Sequence, residues 1–234
     1  VLLAALTGGV LSLALESAQS FLPARIPSNL DVLANVAGAA AGGLATVSLA
    51  PWLAGGGPLQ RVRAQAFTPG AAADLGLALL GLWLFAQLNP ATLLFGSGDL
   101  RDLFANAVGE PHAAQLFVSI EAATTAANLA AVALLTSAGA RPGAPLRRLV
   151  AALVAVALLV KTFAFAILMR AEHVLAWLTP GAQLGLAAGI VLALAALRLP
   201  RTARLALAAV LLMAATVFVN LAPPNPYFAA TLKV

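Results

Sequence analysis

The 234-residue chain is 62% hydrophobic and only 9% charged, with a mean hydropathy of +0.98 and a formal net charge of +5. That balance excludes an ordinary soluble domain. The absence of cysteine, with His112 and His173 as the only histidines, excludes disulfides, thiol chemistry and a clustered metal centre. The apolar residues come in blocks of about 20, the length of a helix that crosses a bilayer, without the short alternating segments of a β-barrel. The expected fold is an all-α polytopic transmembrane helical bundle.

Seven spans are predicted, at 1–21, 31–53, 72–94, 113–138, 147–169, 178–198 and 203–222, separated where proline and glycine gather. The chain opens at Val1 already inside an apolar run, so a further N-terminal segment is expected ahead of it. On the first span Ser12, Glu16 and Gln19 are spaced by four and three residues and share one helix face. Pro23 and Pro27 end that span around Arg25. Asp31, Asn35, Gly38 and Gly42 form a similar stripe on the second span. Glycines four apart let a neighbouring helix approach closely, and an Asp and an Asn above them can bond to it. The hairpin over residues 1–54 is therefore expected to pack through these faces. It would gather Glu16, Gln19, Arg25, Asp31 and Asn35 into an acid-rich ligand-binding site, with Arg25 as the nearby cation.

The order Glu16, Gln19, Pro23, Arg25, Ser28, Asp31, Asn35 and Gly38 resembles the signature of VanZ-like membrane proteins, a family named for a protein associated with resistance to the glycopeptide teicoplanin. The resemblance covers about 30 residues. It implies an envelope protein of the bacterial inner membrane, with an apolar span ahead of the hairpin. The five spans over 55–234 exceed a minimal member of that family, and the resemblance assigns them no role.

Further along, Glu121 and Lys161 lie within predicted spans, each about eight or nine residues from the same end, or roughly 12 to 14 Å deep at 1.5 Å per residue. Equal depth predicts an intramembrane charge pair between the fourth and fifth spans, with a charged lining of an outward cavity as the alternative. Gly96-Ser97-Gly98-Asp99 matches the short glycine-aspartate pattern of intramembrane aspartyl proteases but sits in a loop beside Arg101. Residues 55–57 lack the Lys-Ser/Thr of a phosphate-binding loop, and no cofactor is expected.

Loop charges orient the chain. Arg61, Arg63, Arg141, Arg147, Arg148, Arg198, Arg201 and Arg204 fall on alternate loops, against Arg25, Arg101, Arg170 and Lys233 on the others. Cytoplasmic loops retain Lys and Arg, so the first set is expected inside and the 22–30 turn outside. Basic charge is thereby spent on topology, and no nucleic-acid partner is expected. The expected partners are membrane lipids and a cell-wall lipid intermediate or glycolipid held at the outward site. The alternatives are an enzyme acting on a polyprenyl- or lipid-linked head group, with Glu16 or Asp31 as general base, and an ion-coupled transporter.

Overall fold

A computed structural model describes residues 1–21, 29–53, 56–98, 114–169 and 173–222. Among these residues the chain is all-helical: α1 (Leu2–Gln19), α2 (Asn29–Leu53), α3 (Pro58–Ala66), α4 (Ala71–Ala86), α5 (Ala114–Gly139), α6 (Leu146–Leu168), α7 (Pro180–Ala196) and α8 (Arg201–Leu221). A single isolated bridge joins Phe67 to Ala140. Four stretches, Asn29–Trp52, Gln115–Gly139, Leu146–Leu168 and Arg201–Leu221, are long and apolar enough to cross a membrane. Three further apolar helices are shorter: α4 has 16 residues and rises about 24 Å, less than the roughly 30 Å of a hydrocarbon core. Leucine, valine and phenylalanine side chains stand exposed along α1, α2, α4, α6 and α8, an arrangement suited to lipid and costly in water.

The third predicted span is cut short. It was expected to run to residue 94, but α4 ends at Ala86. Pro90 disfavours helical backbone at Asn89 and brings no N–H of its own, so the chain leaves the helix before it. The predicted loop after α2 contains the short α3, whose sequence PLQRVRAQA carries Arg61 and Arg63.

The chain forms two compact units, Val1–Gln65 and Ala66–Val234. In the first, α1 and α2 form an antiparallel pair held by small residues. A methyl on Gly8 would lie 2.6 Å from Ala39 Cβ, one on Gly9 3.0 Å from Val36 Cγ2, and one on Gly43 3.0 Å from Val1 Cα. In hydrocarbon no hydrophobic effect draws helices together, so such close backbone approach supplies the attraction through dispersion.

In the second unit α5 is the central helix, most extensively packed on α7 and α8 and more lightly on α4 and α6. Its residues 127–134 are all buried, five of them small or β-branched. Along α5, α7 lays Gly181, Gly185 and Gly189 against the stretch from Val118 to Leu129, and α8 buries Ala208 beside Ala131 and Leu134 and Val219 beside Phe117. The connections gather at two ends. At one, Thr68 N and Oγ1 donate to Gly139 O (3.0 and 3.1 Å) and Arg204 Nη1 donates to Ser137 Oγ (2.9 Å). At the other, Lys161 reaches Asn89, Thr179 reaches Glu121, and Asn220 Nδ2 donates to Gly98 O (2.9 Å). Helices α4 to α8 therefore run alternately between the two ends.

Candidate functional site

The predicted stripes of α1 and α2 meet at one polar contact. Ser12 is buried, and Asn35 Nδ2 donates to its Oγ at 2.9 Å. Glu16 lies one turn from Ser12 and is half-buried; Asp31 lies one turn from Asn35 and is exposed. The two carboxylate-bearing turns thus flank the same end of the helix pair, where α1 stops and α2 starts. Arg25 and the Gln19 side chain lie outside the described residues.

The glycine assignment needs correction. Gly38 and Gly42 were expected to form the packing face, but a methyl on either would meet nothing within 4 Å. The half-buried side of α2 runs through Val36, Ala39, Ala40 and Gly43, displaced by one residue, or about 100° around the helix. Asn35 sits at the edge of that seam and bridges it with its long amide, leaving Gly38 and Gly42 exposed on the flank.

The predicted pair of Glu121 and Lys161 is not formed either. Glu121 is buried with Oε2 accepting from Thr179 Oγ1 at 2.6 Å, and the same hydroxyl accepts from Ala182 N at 3.1 Å. Thr179 is the N-cap of α7, so the carboxyl group sits at the positive end of that helix and completes its cap. Lys161 is buried elsewhere. Its Nζ donates to Asn89 O (2.8 Å), Thr92 O (2.9 Å) and Thr92 Oγ1 (3.2 Å), and lies 5.8 Å from the centre of the Phe165 ring. Three acceptors match the three ammonium protons. Equal depth along two helices left their rotation undetermined, and rotation turns the two charges to different neighbours.

Lys161 thereby holds a feature the residue pattern did not announce. Residues 87–98 form non-helical backbone folded into the second unit, with Leu93, Leu94 and Phe95 buried. Gln87 is fully buried and serves as the clasp: its Oε1 accepts from Phe95 N (3.0 Å) and its Nε2 donates to Trp83 O (3.2 Å). Thr125 Oγ1 donates to Leu94 O at 3.1 Å. Phe95 adopts φ 60°, an uncommon value for a non-glycine residue, and stacks at 41° on Trp83 with centroids 5.5 Å apart. Irregular backbone away from water survives only when its polar groups are satisfied by protein, and Gln87, Thr125 and Lys161 do so here. Pro90 with Gly96 and Gly98 was the available signal.

The glycine spacing sought in α2 occurs in α7. A methyl on Gly181 would strike the Glu121 carboxylate, one on Gly185 would lie 2.5 Å from Thr125 Cβ and 2.7 Å from Ala122 O, and one on Gly189 3.0 Å from Ala126 Cα. Deeper in α5, Thr124 and Asn128 are buried, and Thr124 Oγ1 and Asn128 Oδ1 have no protein partner. No group of three or more metal-ligating side chains occurs among the described residues.

Among the described residues the fold defines a class, an all-helical protein with four helices long and apolar enough to cross a membrane. Comparison with protein-family models, with characterised proteins and with solved structures finds no match.

Proposed function

We propose that the chain is a VanZ-like protein of the bacterial cytoplasmic membrane that crosses it seven times and binds a cell-envelope lipid intermediate at an outward-facing site. Glu16, Gln19, Arg25, Asp31 and Asn35 form that site, and occupancy of the lipid alters susceptibility to glycopeptides such as teicoplanin. The observation that carries this reading is the Ser12–Asn35 hydrogen bond, because it brings the polar stripes of α1 and α2 to one end of one seam. The carboxylates of Glu16 and Asp31 suit sugar hydroxyls and amides, while the planar fork of Arg25 suits a lipid phosphate. Three shorter apolar helices, α1, α4 and α7, complete seven crossings, supported in the second unit by the alternation of its helix ends.

The test is titration of a polyprenyl phosphate and a polyprenyl-linked sugar into the purified protein in nanodiscs. Asp31→Asn and Glu16→Gln should weaken the sugar-bearing ligand, and Arg25→Lys should weaken both ligands more than it lowers thermal stability. Equal affinity in all three variants would remove the site. Conversion of the head group that is lost in Asp31→Asn while binding persists would make the protein an enzyme instead.

A further inference from the structure

Most of α3 belongs to the first unit, and its sides differ in chemistry. At about 100° per residue, Leu59 and Val62 stand about 60° apart on one side, while Arg61 and Ala64 fall on the opposite one. Arg63 stands at the flank, half-buried. Both larger apolar side chains are uncovered by protein, Leu59 at 50% exposure and Val62 at 60%. The nine residues rise about 14 Å, less than half of the roughly 30 Å that a crossing needs. A short helix with an exposed apolar side and a basic side is suited to lying along a membrane surface.

The turn ahead of α3 fixes what lies beside it. Gly57 is buried, and a methyl there would strike Trp52 O and lie 2.6 Å from Pro51 O. The start of α3 is therefore packed on the last turn of α2 at backbone distance. Asn29–Trp52 is the stretch of α2 long and apolar enough to cross a membrane, so that last turn marks the level where hydrocarbon gives way to head groups. Trp52 is 56% exposed there, at the depth that tryptophan favours. Arg61 Nε donates to Gly56 O at 3.0 Å, which draws this side chain back over the turn and away from Leu59 and Val62. The exposed apolar surface of α2, through Val47 and Trp52, thus continues along the chain onto α3.

We infer that α3 is an interfacial helix lying in the head-group layer of the bilayer that α2 crosses, with Leu59 and Val62 turned into the acyl boundary and Arg61 toward phosphate and water. Transfer of the two apolar side chains out of water supplies the attraction, and a guanidinium at the surface adds to it where lipids are anionic. The inference rests on the proposed crossing by α2 and shares no residue with the lipid-intermediate site.

The test uses the full chain in nanodiscs of equal parts phosphatidylcholine and phosphatidylglycerol. The chain contains no cysteine, so a nitroxide attached at Leu59→Cys, Val62→Cys, Arg61→Cys or Ala64→Cys reports one position at a time. Leu44→Cys, at an exposed position within α2, is the reference for hydrocarbon. Collision of each nitroxide with oxygen, which concentrates in lipid, is compared with collision with a nickel chelate, which stays in water. The oxygen-to-nickel ratio should be several-fold higher at positions 59 and 62 than at 61 and 64, and highest at 44. A lipid-like ratio at 44 with water-like ratios at 59 and 62 overturns the inference and leaves the crossing intact. Shielding of 59 and 62 from both reagents also overturns it, since that marks a face packed on protein. A water-like ratio at 44 removes the crossing by α2, and the inference falls with it.

Discussion

A buried lysine in this chain serves backbone rather than a carboxylate. Lys161 closes the open end of the 87–98 segment by donating to two carbonyls and one hydroxyl, and an apolar residue of the same length would leave those acceptors without donors. Lys161→Met should therefore destabilise the second unit by about 2–4 kcal/mol, read as a lower melting temperature in detergent. Glu121→Gln keeps an acceptor for Thr179 and should cost less than Lys161→Met. Because the two groups share no partner, the double variant should be additive within about 0.5 kcal/mol, and exchanging the charges should recover nothing. A swap that restored stability would show a coupling these contacts do not contain. Both residues were conspicuous in the sequence, since charges within apolar runs are rare. Their partners were not, because Asn89 and Thr92 contribute carbonyls that any residue would possess.

Small residues decide packing at the level of helices. Position matters more than composition. Gly185 on α7 abuts Ala122 O and Thr125 Cβ of α5, and backbone atoms cannot rotate out of the way. Gly185→Ala should cost roughly 1–3 kcal/mol through overpacking. The hairpin provides a matched comparison: Gly8→Ala meets Ala39 Cβ and should destabilise, whereas Gly38→Ala meets nothing and should be neutral or stabilise by up to about 1 kcal/mol through helix propensity. Thermal melting of the three variants checks this, and equal losses at positions 8 and 38 would return Gly38 to the packing face. The sequence pattern was legible as far as helix existence: each predicted span overlaps a helix, from α1 to α8 with only the short α3 unforeseen. The rotational setting of each helix was not legible, because α1 and α2 are apolar on nearly every side. An amphipathic helix announces its buried stripe; a helix solvated by lipid does not.

Across the second unit, the alternation of helix directions separates two sets of loops, and the described arginines of the unit lie at one of them. Thr68, Arg141 and Arg204 meet at one end, and Asn89, Thr92, Thr179 and Gly98 at the other. Arginine spacing had already marked the first end, since residues that resist translocation remain where the chain is made. Only the buried turn at 87–98 escaped that pattern, because an apolar run of LLF reads as helix whether it extends a span or folds back beside it. The proposed orientation places the arginine end in the cytoplasm and the 87–98 end outside. The chain contains no cysteine, so single introduced thiols report without background. Ala91 and Thr202 are exposed, lie near opposite ends and carry no charge, which makes them suitable positions. A membrane-impermeant maleimide should label Ala91→Cys in intact cells and Thr202→Cys only after permeabilisation. The reverse result would invert the orientation and turn the arginine-bearing end outward. Labelling of both in intact cells would break the alternation itself, because α8 begins where α5 ends, and a common side for positions 91 and 202 requires that α5 fail to cross.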